Sequence, residues 1–326
     1  AGKIRIPLGF YNQTRDVDML RPGVFLPNAV YHDEVYSFFS AFYGGSLYGQ
    51  IPIISAGDIE YEILAGIPEV DGESYYAKNQ SADFGELSRY GQWLGSPYAE
   101  LAGDIFGRDI DVEAEGDKTY GVALRWNTPL DGLRTGFSWL YVESAFKYSN
   151  IPYYTNIKSI NKIDPFQVIS LEYTYDNWVF SAEHMKFDIE FLFDYPDGYQ
   201  DFLFDPDPYG YYIGASYRYN DLMQFGLTYS EFYFDKDDKG GSAFVGNGLP
   251  DFLGWLKDIT FSVRFDITDY WIVKAEYHLM DGAAWLPEYG LYGDANATPN
   301  HTYDSGLPEN LKQKWNMIAL KTTFSF

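Results

Sequence analysis

The chain closes on "NMIALKTTFSF" (316–326), and the parity of that stretch decides the fold. Ile318, Leu320, Phe324 and Phe326 fall on one parity, and Met317, Ala319, Lys321, Thr323 and Ser325 on the other. Successive side chains of a strand point to opposite faces, so one face is apolar and the other small or polar. Chain ends are ordinarily polar and frayed. An end of this kind is expected to be locked into a sheet.

The same alternation recurs upstream. "ITFSVRF" (259–265) sets Ile259, Phe261, Val263 and Phe265 against Thr260, Ser262 and Arg264. "WIVKAEYHL" (271–279) sets Trp271, Val273, Ala275, Tyr277 and Leu279 against Lys274, Glu276 and His278. Twelve strands are predicted, at 2–11, 45–53, 58–66, 118–127, 134–147, 165–175, 178–191, 209–219, 222–233, 257–267, 270–280 and 313–326. In 178–191 the pattern changes phase near Met185, which predicts a bulge. Short connections rich in Gly, Asn and Asp alternate strictly with long ones at 12–44, 67–117, 148–164, 192–208, 234–256 and 281–312. That is an all-β, antiparallel up-and-down sheet with tight turns at one rim and long loops at the other, the plan of a transmembrane β-barrel. No linker or change of composition divides residues 1–326, so a single domain is expected.

Composition agrees with this plan. Aromatic residues make up 20 % of the chain, with 31 Tyr and 25 Phe, and these favour strands. Trp178, Tyr219, Tyr270 and Trp271 stand beside short turns, where an interfacial girdle belongs. The opposite parity carries Gly, Ser and Thr with single charges, which suits a wet lumen better than a soluble protein's surface. No apolar run approaches the roughly 18 residues of a membrane helix, and a barrel wall needs none because only alternate residues meet lipid. Cysteine is absent, which removes disulfides, thiolate metal sites and a cysteine nucleophile. A net charge of −24 excludes a nucleic-acid partner. No signal peptide is visible before Ala1, so the sequence reads as processed or incomplete. These features together predict the bacterial outer membrane.

"GKIRIPLGFYNQTRDVDMLRPGVFLP" (2–27), the later "GGSLYG" (44–49) and the terminal phenylalanine resemble Gram-negative outer-membrane porins of the phosphate-selective type. The resemblance covers residues 1–60 and the last dozen. It implies a sixteen-stranded barrel with about four strands upstream of Ala1, a homotrimer, and an inward-folded constriction loop at 12–44. On that reading Arg15, Asp16, Asp18 and Arg21 sit at the constriction. The chain lacks the arginine ladder of phosphate-selective members, so phosphate selectivity is not expected.

Inward parity assigns Lys3, Arg5, Glu60, Glu62, Arg125, Arg218, Arg264, Lys274 and Glu276 to the pore wall. With Lys321, Glu172, Glu183 and Asp266 on the same parity the wall is nearly balanced, seven positive against six negative, favouring small polar solutes with weak selectivity. Most of the negative charge falls on the long connections, above all 67–117. An acidic mouth biases entry toward cations, and the loop carboxylates are expected to hold divalent cations loosely, bridging to lipopolysaccharide. No cofactor is expected. His32, His184, His278 and His301 lie in no HExxH, GxSxG or Ser-x-x-Lys context, so the chain is expected not to be an enzyme. "DKDDKGG" (235–241) begins like a calcium loop, but its twelfth position is Gly246, so it is not an EF-hand. The leading expectation is a passive diffusion porin. The alternatives are a structural sleeve around a partner such as an electron-transfer cytochrome and, less favoured, an outer-membrane enzyme.

Overall fold

The computed structural model describes residues 1–32, 39–70, 111–149, 157–194, 203–204, 206–246, 250–284, 286 and 312–325. Its strands are β1 (Gly2–Arg5), β2 (Ala41–Ile53), β3 (Gly57–Pro68), β4 (Asp111–Asn127), β5 (Leu133–Ser149), β6 (Ile157–Tyr175), β7 (Trp178–Asp194), β8 (Leu203–Phe204), β9 (Tyr209–Arg218), β10 (Met223–Tyr233), β11 (Trp255–Thr268), β12 (Trp271–Gly282) and β13 (Lys314–Phe324). Apart from the two-residue β8, which pairs with β7, each strand lies antiparallel beside its sequence neighbour. All twelve expected strands are present, in an all-β up-and-down sheet of the barrel type. β1 and β13 are the ends of the path, and no pairing joins them among the described residues.

Tight turns follow from local chemistry. Asp176, at φ 50°, and Asn177 link β6 to β7. Gly57, at φ 81°, sits where a Cβ would lie 1.9 Å from the Asn127 carbonyl, so only glycine fits.

The wall has two zones. In the half nearest the tight turns the outward parity is apolar and exposed, as with Leu47, Ile63, Phe180, Ile213, Phe261 and Ile318. Aromatic residues edge this band. Trp178 stacks on Phe180 and packs on Tyr217 at 4.6 Å, Trp271 stacks on Phe324, and Trp126 Nε1 donates to the Ala56 carbonyl at 2.7 Å. A continuous apolar band over an antiparallel hydrogen-bonded sheet is the surface that lipid requires. This wall belongs in an outer membrane.

Toward the long loops the chemistry of the two faces exchanges. On β7 the inward residues become Met185, Phe187 and Ile189, all buried, and the outward parity becomes His184, Lys186, Asp188 and Glu190. Leu140, Val142, Phe146, Ile163 and Phe166 join them in a dry core inside the sheet. Outside, tyrosines replace aliphatics: Tyr233 donates to Glu231 at 2.6 Å, and Lys239 lies 4.3 Å from the Tyr209 ring. The phase change near Met185 is therefore no bulge, because β7 keeps register with β9 from Trp178 to Lys186. Shifts lie instead on other strands, between Ile163 and Phe166 on the adjacent β6 and between Gly116 and Lys118 on β4. Each adds one residue and keeps the apolar parity inside above the band.

Three strand starts differ from expectation for this reason. β2, β4 and β6 begin at Ala41, Asp111 and Ile157, ahead of the alternating runs expected at 45, 118 and 165. β1 ends at Arg5 rather than at 11, since Pro7 has no N–H to give and Gly9 turns the chain inward at φ 59°.

Candidate functional site

After β1 the chain enters the concave face, and residues 6–32 run across the inner wall. The first anchor is Glu183 on β7, which is 2 % exposed. It accepts hydrogen bonds from the Phe10 amide at 2.9 Å, Tyr31 OH at 2.5 Å, Ser170 Oγ at 2.5 Å and Tyr212 OH at 3.0 Å. Gly9 makes this approach possible: a Cβ there would lie 2.5 Å from Tyr31 OH and 2.8 Å from Glu183 Oε1. Burial and the neighbouring Glu183 charge push the Tyr31 phenol well up, so it stays a donor. Asn12 closes the turn by donating to the Ile6 and Phe39 carbonyls at 3.0 and 2.8 Å.

The second anchor joins a one-turn 3₁₀ helix, Asp18–Leu20, to β11, β12 and β13. Asp18 Oδ1 accepts from Lys321 Nζ at 2.9 Å and Oδ2 from Thr323 Oγ1 at 2.7 Å. Lys274 Nζ, 1 % exposed at the side chain, donates to the Asp18 and Gly23 carbonyls at 2.6 and 2.9 Å. Arg264 Nη1 donates to the Met19 carbonyl at 2.5 Å, and Glu276 Oε2 accepts from the Phe25 amide at 3.2 Å. Burial acts to raise the Asp18 carboxyl. The Lys321 and Thr323 hydrogen bonds and the Lys274 charge outweigh it and hold the group below its ordinary value. Beside this anchor, His278 Nδ1 is 2.8 Å from Asp258 Oδ2 and 3.1 Å from Thr260 Oγ1, and Nε2 is 3.3 Å from Glu276 Oε2.

The residues expected at the constriction divide by partner. Asp18 grips the wall. Arg15 Nη2 donates to the Tyr31 carbonyl at 3.1 Å, and Arg21 donates to the Arg15 and Val24 carbonyls at 2.6 and 3.2 Å, so both fix the fold of the segment itself. Asp16 pairs with Arg5. The segment expected at 12–44 ends sooner, since residues 41–44 belong to β2, and 33–38 lie outside the described residues.

Of the residues assigned to the pore wall, Arg125 and Glu62 reach Gln13 at 3.1 Å each, and Glu60 accepts from Asn127 at 3.0 Å. Arg218 and Arg264 share Asp266. Lys274 and Glu276 hold the second anchor. Lys3 and Arg5 stand on the β1 parity facing away from Ile4, which packs on the core, and Lys3 pairs with Glu69 at 2.6 Å. A groove remains between the segment and β2–β3, with a cavity volume of about 440 Å³, lined by Ala1, Ile4, Gln13, Ser46, Tyr48 and Glu62. Among the described residues no group of three or more His, Asp or Glu is placed to hold a metal ion. The acidic connections at 71–110, 195–202 and 287–311 lie outside the described residues, as does Phe326.

No protein-family model matches the chain, and no curated protein matches it. Solved structures similar to it include outer-membrane expressed OmpT of Vibrio cholerae, 11 % identical with a TM-score of 0.47, covering 99 % of this chain and 75 % of that one. The toluene transporter TbuX of Ralstonia pickettii is 10 % identical with a TM-score of 0.32, covering 74 % of this chain and 70 % of its own. The toluene transporter TodX of P. putida is 13 % identical with a TM-score of 0.31, covering 74 % and 65 %. The expectation that the chain is not an enzyme is corrected. It rested on absent local motifs, whereas the fold assembles Thr260, His278, Asp258 and Glu276 into one hydrogen-bonded group on the inner wall. Non-enzyme status is accordingly withdrawn. By its own geometry the chain is the wall of an outer-membrane β-barrel, and those are the solved proteins to which it is similar.

Proposed function

We propose that the protein is a porin, a water-filled channel for passive diffusion of small hydrophilic solutes, with residues 6–32 as its constriction. The observation that carries this reading is the polar inner wall behind the apolar band, with a single inward segment that leaves the groove along β2–β3 beside it. A sleeve around another protein is less well supported, because the chain's own segment crosses the concave face. Sixteen strands complete the wall on this reading. Among the described residues the β13 edge and the β2 edge below Gly44 have no strand partner at the height of the band, and open edges do not persist in lipid. A homotrimer, contacts with outer-membrane lipid, and loose divalent-cation bridging from the acidic connections to lipopolysaccharide belong to the same proposal. Stepwise conductance of the purified protein in planar bilayers is the expected result. Its absence at protein densities where a known porin inserts would overturn the reading. Calcium titration is expected to raise the thermal midpoint, and an unmoved midpoint removes the divalent bridge.

A further inference from the structure

The second anchor holds more positive charge than the segment needs. Arg21, Arg264, Lys274 and Lys321 converge around Asp18, with Asp266 and Glu276 as the other carboxylates in reach. Without Asp18, these four cations face Glu276 and an Asp266 that Arg218 also pairs, with Asp16 already paired to Arg5. Lys274 spends two hydrogen bonds on neutral carbonyls, those of Asp18 and Gly23, and Arg264 gives one to Met19 beside its pair with Asp266. Ammonium and guanidinium groups bond an anion about twice as strongly as a neutral acceptor. The wall is thus built for a charge that the chain supplies through one side chain.

The mode of capture names the ligand class. One Asp18 oxygen takes the Lys321 ammonium and the other takes the Thr323 hydroxyl, with Arg21 3.6 Å and Lys274 3.9 Å from Oδ1. That is a planar two-oxygen acceptor seated against a hydroxyl and a ring of cations. We infer that this patch on β11–β13 is a receptor for a small carboxylate solute, and that Asp18 is its tethered competitor. A solute carboxylate takes the Asp18 position, the 18–25 stretch leaves the wall, and the lumen widens beside β12. No covalent step is involved. This inference rests on the channel reading for its purpose, but the receptor itself is measurable without conduction.

The test is calorimetric binding of succinate to the whole protein in detergent, against sodium chloride at matched ionic strength. Asp18→Asn removes the competitor and spares the cations, so it is expected to bind succinate on the order of tenfold tighter than the parent. Lys321→Gln removes a receptor cation and is expected to bind more weakly than Asp18→Asn. Asp18→Ser repeats the first variant should Asp18→Asn fold poorly. A second readout uses the absence of native cysteine. Val24→Cys, buried on the segment, is expected to react faster with a soluble maleimide when succinate is present. If Asp18→Asn and Asp18→Ser bind no tighter than the parent, or labelling ignores succinate, the inference falls while bilayer conductance leaves the channel reading standing. If binding follows the predicted order in a protein that never conducts, the receptor stands and the channel reading falls.

Discussion

His32 sits buried inside the sheet with its ring 5.3 Å from Phe232. Burial, helped by the Arg15 charge, lowers its pKa from 6.5 to about 3. A base whose folded value lies below its unfolded value contributes stability above the unfolded value and loses it as pH falls toward the folded one. Between about pH 6.5 and 3 this residue alone should cost about 1.4 kcal/mol per pH unit. Denaturant midpoints from pH 7 to 4 are expected to fall, and His32→Phe should flatten the slope; an unchanged slope would place the proton uptake elsewhere. Glu183 makes a second prediction. Glu183→Ala leaves four buried donors without their acceptor and should destabilise by about 1–3 kcal/mol for each donor that finds no other partner, with Glu183→Gln losing less. Equal midpoints for Glu183→Ala and the parent would show that the first anchor holds nothing. Neither group was legible in the sequence as an anchor. Glu183 is readable as an inward acid, but its partners Phe10 and Tyr31 lie 173 and 152 residues away. No local pattern encodes that pairing.

At the scale of the element, alternation revealed the strands and understated several of them. A strand reads clearly where one face meets lipid and the other meets water, as in Phe261 against Thr260 and Ser262. Above the band the same strands carry apolar residues inside and charges outside, so the pattern inverts, and at the β4 and β6 shifts it also slips by one. This explains why alternation misses 111–117 and 157–164 while Gly, Asn and Asp mark every tight turn. The two zones predict opposite tolerances. Phe261→Lys, on the lipid face, should cost about 2–4 kcal/mol. Ser262→Lys, one residue on and facing inward, should cost far less. Equal losses in urea titrations of lipid-reconstituted protein would mean that the outward face does not meet lipid.

For the whole molecule, the sequence offers the inward constriction and its charged residues only as what the resemblance at 2–27 implies, and that role stays a proposal. What it could not foresee is the dry core beside the segment, since Met185, Phe187 and Phe146 look like lipid-facing residues until the register is known. The chain's account thus depends on one division, with lipid outside the band near the turns and an apolar core inside the sheet near the loops. The absence of cysteine makes that division directly measurable. Single cysteines along β7, carrying a fluorophore in reconstituted vesicles, should be quenched by a quencher in the lipid tails at positions 178, 180 and 182. At 179 and 181, and at 184, 186 and 188, they should be spared. Quenching that continues on the even positions through 188, or that ignores parity near the turn, would contradict the account.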